Sequence, residues 1–207
     1  MSLPSKIICV GRNYVDHAAE LGNVVPQYPL LFMKPPSAII GDGDVILLPS
    51  ASERVEHEAE IGVVIGRQLH RVGEREALAG VRGITCLNDV TARDLQKSDG
   101  QWTRAKGFDT FCPVGPRVVA MAEFSDLAGI EVIGRVNGVE RQRGRSGDMV
   151  FRIPMILSYV SHIMTLNPDD LVATGTPAGV GPLHPGDVVE VEIPGVGVLR
   201  NPVRSEE

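Results

Sequence analysis

The sequence predicts a mixed α/β fold that is rich in β-strands and has a few short peripheral helices. Most apolar runs are short and strand-like, and turn signals separate them, since 23 of the 207 residues are Gly and 15 are Pro. Strand-like and helix-like segments do not alternate regularly, which argues against a doubly wound parallel sheet. Apolar residues make up 43% of the chain, which is enough for one large core. We therefore expect a single domain over residues 1–207.

The N-terminal part of the chain is predicted to contain mainly strands. Strand-like runs lie at residues 6–10, 30–33, 45–48 and 56–65. A short helix is expected over residues 14–21, with Asn13 as its N-cap and Gly22 as its C-terminal stop.

The rest of the chain mixes both kinds of element. Helices are expected over residues 74–79, 91–97 and 153–164, and strands over residues 81–90, 130–136, 139–142, 171–173, 188–193 and 198–203. The Asn137-Gly138 pair predicts a tight hairpin turn between two of these strands. The last helix is predicted to be amphipathic, with one side formed by Met155, Ile156, Tyr159, Val160 and Ile163.

Charge and composition argue against several classes of protein. The formal net charge is -6 and Lys and Arg form no tract, so we expect neither a nucleic-acid partner nor a membrane partner. No apolar run approaches the roughly 18 residues that a membrane span needs, and the N-terminus does not resemble a signal peptide, so a cytoplasmic protein is expected. Cys9, Cys86 and Cys112 are odd in number and lack C-x-x-C spacing, which indicates buried free thiols.

A run of alternating carboxylates is the most informative feature. Within the predicted strand 56–65, Glu56, Glu58 and Glu60 would share one face, while His57 and Ile61 would lie on the apolar face. Like charges on one partly buried face repel each other, and burial adds a desolvation cost. A divalent cation would relieve both effects, and a solvated edge strand is the alternative interpretation.

A third carboxylate favours the metal interpretation. Asp89 ends the apolar run that begins at residue 81, although it can also serve as the N-cap of the helix that follows. Glu58, Glu60 and Asp89 together would form a hard, oxygen-rich site. Such a site favours Mg²⁺ or Mn²⁺ over Zn²⁺, with Ca²⁺ as a possible substitute.

At this point the chain resembles the fumarylacetoacetate hydrolase family. Glu58-Ala59-Glu60 followed by Asp89-Val90-Thr91-Ala92-Arg93-Asp94 is similar to the family's metal-binding E-x-E…D pattern. Four further segments match in the family's order: Val10-Gly11-Arg12-Asn13-Tyr14 with Asp16-His17, Leu31-Phe32-Met33-Lys34-Pro35, Ala105-Lys106-Gly107-Phe108-Asp109, and Thr174-Gly175-Thr176-Pro177-Ala178-Gly179-Val180-Gly181-Pro182. The matches cover nearly the whole chain, and its short length resembles the acylpyruvase and oxaloacetate decarboxylase branch.

The resemblance implies a β-roll like that of the family's C-terminal domain, a homodimer, and one Mg²⁺ or Mn²⁺ held by Glu58, Glu60 and Asp89. It also implies a dyad, His17 and Glu20, that activates water. These two residues are three apart on a predicted helix and so share a face. Without the resemblance, an exposed pair on a helix surface would be the simpler interpretation.

The implied activity is metal-dependent cleavage of a carbon–carbon bond in a small 2-oxo acid. The two reactions expected are hydrolysis of an acylpyruvate, such as acetylpyruvate or fumarylpyruvate, and decarboxylation of oxaloacetate, each giving pyruvate. An isomerase or decarboxylase of 2-hydroxyhepta-2,4-diene-1,7-dioate type, from aromatic catabolism, is one alternative. A non-catalytic metal-binding protein with the same fold is another.

Further residues are candidates for the same site. Lys106 is a candidate catalytic cation that would stabilise an enolate. The candidate substrate contacts are Arg12, Arg93, Gln96 and Thr176. Lys34 is a weaker candidate, because it can equally pair with a structural acid. Residues 18–28 are predicted to form a lid that orders when substrate binds.

Overall fold

The computed structural model describes residues 3–20 and 22–206. Within them the strands are β1 (Ile7–Gly11), β2 (Leu30–Lys34), β3 (Ile39–Ile40), β4 (Ile46–Leu48), β5 (Val55–His57), β6 (Ala59–Ile65), β7 (Val81–Asn88), β8 (Thr91–Ala92), β9 (Cys112–Ala120), β10 (Glu131–Val136), β11 (Val139–Arg145), β12 (Leu171–Ala173), β13 (Gly181–Pro182), β14 (Val188–Ile193) and β15 (Gly197–Ser205). The helices are α1 (Val15–Glu20), α2 (Glu74–Ala79), α3 (Arg93–Asp99), α4 (Thr103–Lys106) and α5 (Ile153–Ile163). The predicted strand-rich mixed fold is confirmed.

Three sheets organise these strands. A seven-stranded sheet has the order β2-β1-β12-β6-β7-β9-β3, and a five-stranded sheet has the order β11-β10-β14-β15-β4. A small third sheet has the order β13-β5-β8. Most pairs are antiparallel, whereas β1–β12, β3–β9 and β4–β15 are parallel. The sheets are therefore mixed and not doubly wound.

The largest apolar cluster is formed by the two larger sheets together with α5. Ile61 and Ile84 from the first sheet, Val191 and Ile193 from the second, and Ile156 from α5 belong to it, and each is almost completely buried. A fully buried aliphatic side chain stabilises the fold by about 1.5–3 kcal/mol relative to an exposed one. This cluster makes the two larger sheets a rigid base for the residues at their edges.

The candidate site lies where the chain passes between the large sheet and the small sheet. The small sheet takes β5, β8 and β13, while the large sheet takes the neighbouring strands β6, β7 and β12. Glu58 lies at the passage from β5 to β6, and Asp89 lies at the passage from β7 to β8. Since β6 pairs with β7 and β5 pairs with β8, the two passages are adjacent.

The predicted single strand over residues 56–65 is wrong, because it is two strands that meet at Glu58. The N–H of Glu58 donates to the side-chain oxygen of Asn88, and its C=O accepts from the N–H of Asp89. These bonds turn the backbone out of the regular ladder at this residue. Strict alternation therefore does not carry through from Glu56 to Glu60.

The start of α1 also differs from the prediction. The helix begins at Val15, and Asn13 does not cap it. The Asn13 side chain is buried and bonds the backbone of Phe151 and Thr174 instead. The predicted end of the helix at Leu21 lies outside the described residues, but Gly22 has the positive φ of 68° that suits a helix stop.

The buried face of α5 is rotated from the predicted one. Ile156, Leu157 and Val160 are completely buried, whereas Ile163 is 55% exposed. Met155 and Tyr159 are only partly buried at the edge of that face. The face packs against α2 as well as the sheet, so its position depends on a partner that helical periodicity does not reveal.

Cys9, Cys86 and Cys112 are all buried free thiols, as predicted. Among the described residues, we find no helix that is both long and apolar enough to span a membrane.

Candidate active site and metal centre

Three buried carboxylates converge where the sheets meet. Glu58, Glu60 and Asp89 each offer an oxygen atom, and these atoms lie within 4.8 Å of one another. All three side chains are almost inaccessible to solvent. Like-charged groups at this spacing in a buried site are costly unless positive charge compensates them.

Backbone and side-chain hydrogen bonds hold the three carboxylates in place. Asn88 fixes the backbone of Glu58, as described above. The carboxylate of Glu60 accepts from the N–H of Gly175 at 2.7 Å. Gly175 has a φ of 99°, and a Cβ there would lie 2.7 Å from the Cβ of Asn13. Only glycine therefore fits this close approach.

Three buried cationic side chains surround the carboxylates. Lys106 Nζ bridges Glu58 Oε2 at 2.8 Å and Asp89 Oδ2 at 2.6 Å. Lys34 Nζ donates to Asp89 Oδ1 at 2.6 Å and to the C=O of residue 90 at 3.0 Å. Arg93 joins Glu58 to a fourth carboxylate, that of Glu56. Because each of these cations is already paired with an acid, the cluster is a connected ionic network.

The network shifts the pKa values of its members in opposite directions. Burial alone would raise the pKa of Glu58, but Lys106 and Arg93 lower it further than burial raises it. The pKa of Glu60 is raised well above its ordinary value by burial, and Asp89 and Glu58 raise it further. Burial lowers the pKa of Lys106, but the two acids outweigh it, so its pKa is raised and it stays a charged donor.

The donor set fits a divalent metal ion. Glu58, Glu60 and Asp89 supply only carboxylate oxygens, which are the ligands that hard cations prefer. Burial, together with the neighbouring Asp89 and Glu58 carboxylates, raises the pKa of Glu60, so its charged form is unfavourable without a further cation. In the described residues, Glu60 forms no ion pair, whereas Glu58 and Asp89 each form two.

The predicted dyad lies beside this cluster. His17 Nδ1 is 3.3 Å from Glu20 Oε2, and the His17 ring is buried. The Glu20 carboxylate also accepts from the N–H of Gly179. When the Nδ1 proton is shared with Glu20, the other ring nitrogen is left as an acceptor. His17 and the three carboxylates line the same cavity.

A cavity of about 390 Å³ opens above the cluster. Nine of the ten predicted site residues line it, and the tenth, Glu20, reaches it through His17. The nine predicted residues that line it are Arg12, His17, Glu58, Glu60, Asp89, Arg93, Gln96, Lys106 and Thr176. Phe32 and Trp102 form an aromatic wall, in which the two rings meet edge to face with their centroids 5.1 Å apart. This volume suits a small organic acid.

Two of the predicted substrate contacts are already engaged within the protein. Arg93 donates to Glu56, Glu58 and Gln96, which leaves little of its fork for a ligand. The Thr176 hydroxyl donates its proton to the C=O of Ala59, so toward a ligand it can only accept. Their roles toward substrate stay predictions. In the structure, Arg93 binds the carboxylates of Glu56 and Glu58, whereas Thr176 binds the backbone of Ala59.

Gln142, a buried amide behind the site, was not predicted from the sequence. Gln142 Oε1 accepts from the N–H of Ala59 and from His57 Nδ1, while its Nε2 donates to the Thr176 hydroxyl and the C=O of Pro177. The signal was present in β11, where Gln142 and Gly144 alternate with exposed arginines. A polar residue on the inward face of a strand indicates a buried hydrogen-bond partner.

Lys34 is a second residue whose importance was underestimated from the sequence, where it was only a weak candidate. It is fully buried on Asp89, and its ammonium lies 6.0 Å from the centre of the Phe111 ring. Of the two options, pairing with a structural acid is the one found.

Comparison with known proteins decides the family. The Fumarylacetoacetate (FAA) hydrolase C-terminal family matches residues 6–204. The chain belongs to the fumarylacetoacetate hydrolase family. It is 52% identical over 204 residues to an uncharacterized protein of Methanocaldococcus jannaschii, covering 99% of this chain and 85% of that protein. The predicted family membership is confirmed.

Two named relatives are a tautomerase and an isomerase. The chain is 41% identical over 209 residues to the mitochondrial oxaloacetate tautomerase FAHD2A of Homo sapiens, covering 97% of this chain and 67% of that protein. The crystal structure of 5-carboxymethyl-2-hydroxymuconate delta-isomerase from Mycobacterium smegmatis superimposes with a TM-score of 0.91 at 45% identity, covering 99% of this chain and 80% of that one. The named relatives of this chain are therefore enzymes.

Proposed function

We propose that this chain is a divalent-metal-dependent enzyme that cleaves a carbon–carbon bond in a small 2-oxo acid. The reactions are decarboxylation of oxaloacetate and hydrolysis of acylpyruvates such as acetylpyruvate and fumarylpyruvate, each giving pyruvate. The observation that carries the proposal is the shared cavity, which joins the Glu58, Glu60 and Asp89 carboxylates to Lys106 and the His17–Glu20 dyad.

The metal proposed is Mg²⁺ or Mn²⁺, with Ca²⁺ as a substitute, held by Glu58, Glu60 and Asp89. When bound, such an ion supplies Lewis-acid stabilisation of the negative charge that develops on a 2-oxo acid. Lys106 adds a permanent positive charge on the same side of the cavity, because its raised pKa keeps it protonated.

The dyad supplies the proton chemistry. In hydrolysis, the free ring nitrogen of His17 takes a proton from water, and the water oxygen attacks the distal carbonyl carbon. The bond between that carbon and the methylene carbon then breaks, and its electron pair stays with pyruvate as the enolate. Glu20 stabilises the imidazolium ion and fixes the ring. In decarboxylation, CO₂ leaves with no attack by water, so the base is less important.

A second candidate is tautomerisation or isomerisation of a 2-oxo acid, including the 2-hydroxyhepta-2,4-diene-1,7-dioate type. The similarity to FAHD2A and to the Mycobacterium smegmatis isomerase favours it. The same residues suit tautomerisation and hydrolysis, because each of these two reactions passes through an enolate and uses a base beside it. A non-catalytic metal-binding protein is a weaker alternative, since the dyad and Lys106 are all in place in this chain.

The deciding experiment measures both reaction classes on one preparation. Oxaloacetate, acetylpyruvate and fumarylpyruvate are supplied with Mg²⁺, Mn²⁺ or EDTA. Pyruvate release reports cleavage, and loss of the enol absorbance of freshly dissolved oxaloacetate reports tautomerisation. We expect pyruvate release that EDTA abolishes. Rapid enol loss without pyruvate would move the assignment to the tautomerase class, and no turnover of any kind would refute an enzymatic role.

Substitution of His17 separates the two cleavage reactions. His17→Ala should reduce acylpyruvate hydrolysis by at least a hundredfold and oxaloacetate decarboxylation much less, because only hydrolysis needs an activated water; general-base catalysis contributes about 10²–10⁴-fold. The control is His162→Ala, which removes an exposed histidine of α5 that bonds only its own helix. Equal losses in both reactions would show that His17 acts in another way.

The homodimer and the lid over residues 18–28 are also part of the proposal. Light scattering on the purified chain tests the homodimer. Hydrogen exchange with and without oxalate tests the lid, which predicts slower exchange over these residues when oxalate is bound.

A further inference from the structure

Two positively charged side chains in the cavity have no partner among the residues that the structure describes. Of the basic residues lining it, Lys106 and Arg93 are paired with acids, as described above. Arg12 and Lys97 also line the cavity, and among residues 3–20 and 22–206 neither forms a hydrogen bond or an ion pair. Unpaired cations that face a concave site, when every neighbouring cation is paired, indicate an anionic group of the ligand.

The placement of Lys97 follows from the geometry of α3. Residues 93, 96 and 97 are spaced so that they share one helix face, and all three line the cavity. Arg93 is buried at the carboxylate cluster, whereas Lys97 is exposed. The helix therefore runs from the carboxylate cluster toward the mouth of the cavity, with Arg93 at the cluster and Lys97 nearer the mouth.

The acids of α3 do not neutralise Lys97. Asp94 accepts from the Ser52 hydroxyl and the N–H of Glu53. Asp99 is bound by the guanidinium of Arg104 through two hydrogen bonds. Both carboxylates are thus held by other donors, and the Lys97 ammonium is left for the cavity.

The backbone at Arg12 supports the same conclusion. Arg12 has a φ of 57°, in the left-handed region that a long side chain rarely adopts. The preceding residue, Gly11, has no side chain, and a Cβ there would lie 2.8 Å from the Trp102 ring. The chain thus turns sharply at the cavity wall, and such strain is concentrated at binding and catalytic sites.

The cations at the floor of the cavity are not free to bind a second substrate carboxylate. Lys34 and Lys106 are bound to Asp89, Lys106 and Arg93 to Glu58, and Arg93 and Arg54 to Glu56. The carboxylate next to the 2-oxo group would lie at this cluster. A carboxylate at the other end of the substrate therefore needs cations of its own.

We infer that Lys97 and Arg12 bind a distal carboxylate and thereby select dicarboxylic 2-oxo acids over 2-oxo acids with an uncharged end. The inference rests on the proposed function, and it adds Lys97 as a specificity-determining residue. Oxaloacetate and fumarylpyruvate belong to the favoured class, whereas acetylpyruvate does not. The cavity of about 390 Å³ has room for dicarboxylates longer than oxaloacetate.

A binding experiment tests this independently of turnover. The probes are 2-oxoglutarate and 2-oxopentanoate, which have the same five-carbon chain and 2-oxo acid end and differ only in the distal carboxylate. Trp102 is the one tryptophan of the chain and lines the cavity, so its fluorescence reports binding in the presence of Mn²⁺. We expect 2-oxoglutarate to bind about tenfold more tightly or better, as one charge-assisted hydrogen bond provides.

Variants assign the preference to the two cations. Lys97→Gln should weaken 2-oxoglutarate binding several-fold and leave 2-oxopentanoate binding unchanged, and Lys97→Arg should restore the preference. Arg12→Asn should act in the same way, because asparagine tolerates the left-handed backbone. The control is Arg75→Gln, an exposed charge on α2 that does not line the cavity. The preference should also shrink as salt is raised, since Lys97 is exposed.

The outcomes separate this inference from the proposed function. Equal affinity of the wild-type chain for both probes, or equal weakening of both by Lys97→Gln and Arg12→Asn, would overturn the inference and leave the proposed function intact. Absence of binding by either probe, together with no turnover of any 2-oxo acid, would overturn both.

Discussion

Replacing Gln142 by leucine should lower the stability of the fold and weaken metal binding at the candidate metal centre. The side chain is 1% exposed and joins four partners: Ala59, His57, Thr176 and Pro177. Leucine has a similar volume but cannot make any of these bonds. The change therefore removes the hydrogen bonds with little change in packing.

The magnitude follows from the number of bonds. Each hydrogen bond contributes about 1 kcal/mol net, so four give about 4 kcal/mol of lost stability. For a chain of this size that corresponds to a fall in Tm of about 8–16 °C. The loss also reaches the carboxylates, since Ala59 lies between Glu58 and Glu60. Supporting residues of this kind change metal affinity by about 10–100-fold.

Two assays on one variant measure both effects. Thermal unfolding in EDTA gives the change in stability, and calorimetric titration with Mn²⁺ gives the change in affinity. Gln68→Leu is the matched control, because Gln68 is exposed and bonds only the Asn167 side chain. A fall in Tm of under about 2 °C for Gln142→Leu, with unchanged Mn²⁺ affinity, would refute the reasoning.

Two further predictions concern buried charges. Lys34→Met should lower the Tm in EDTA, since breaking a buried pair costs about 3–5 kcal/mol. Mn²⁺ should raise the Tm of this variant more than the Tm of the wild type, because the ion replaces the lost positive charge. Equal increases in Tm on adding Mn²⁺ would contradict this prediction. Hydrogen bonds from Lys6 and Ser5 hold the pKa of Asp170 below its usual value against the opposing effect of burial. A lowered pKa stabilises the fold at neutral pH, and this stability is lost as pH falls through the folded pKa, so denaturation of Asp170→Asn should show a deficit that is largest near pH 7 and shrinks below about pH 4.

Elements with local signals were predicted well. The Asn137-Gly138 turn forms, with both residues at positive φ, and α2 has the predicted bounds. The nine-residue strand β9 was missed because Pro113, Gly115 and Pro116 interrupt it. Its pairing with β7 and β3 overrides these local breakers. Such pairing is a property of the assembled sheet and is not encoded in the segment itself.

In the candidate site, too, features with a local sequence signal were predicted, and features that depend on distant partners were not. The candidate metal ligands could be predicted because Glu58, Glu60 and Asp89 lie in a sequence pattern, and the structure brings them together. The strand break at Glu58 was not found, since it depends on a second sheet and on a hydrogen bond from Asn88, 30 residues away. Gln142 and Lys97 were missed for a related reason, because their importance depends on which neighbours are already paired.

The structure also changes the reason for expecting a metal. Repulsion among carboxylates on one strand suggested it, but Lys34, Arg93 and Lys106 offset most of that repulsion. The remaining excess lies at Glu60, which has a raised pKa and no ion pair among the described residues. Glu58, in contrast, has two cationic partners and a lowered pKa.

The two glutamates should therefore respond in opposite ways to the same substitution. A raised carboxylate pKa means that the charge is unfavourable in the folded state, so Glu60→Gln should raise the Tm in EDTA. Glu58→Gln should lower it, because it leaves Arg93 and Lys106 short of a partner. Both variants should lose Mn²⁺ binding and all turnover. If both changed the Tm in the same direction while Mn²⁺ binding was lost, the missing positive charge would not be localised at Glu60, and the ionic network would have to be treated as one delocalised unit.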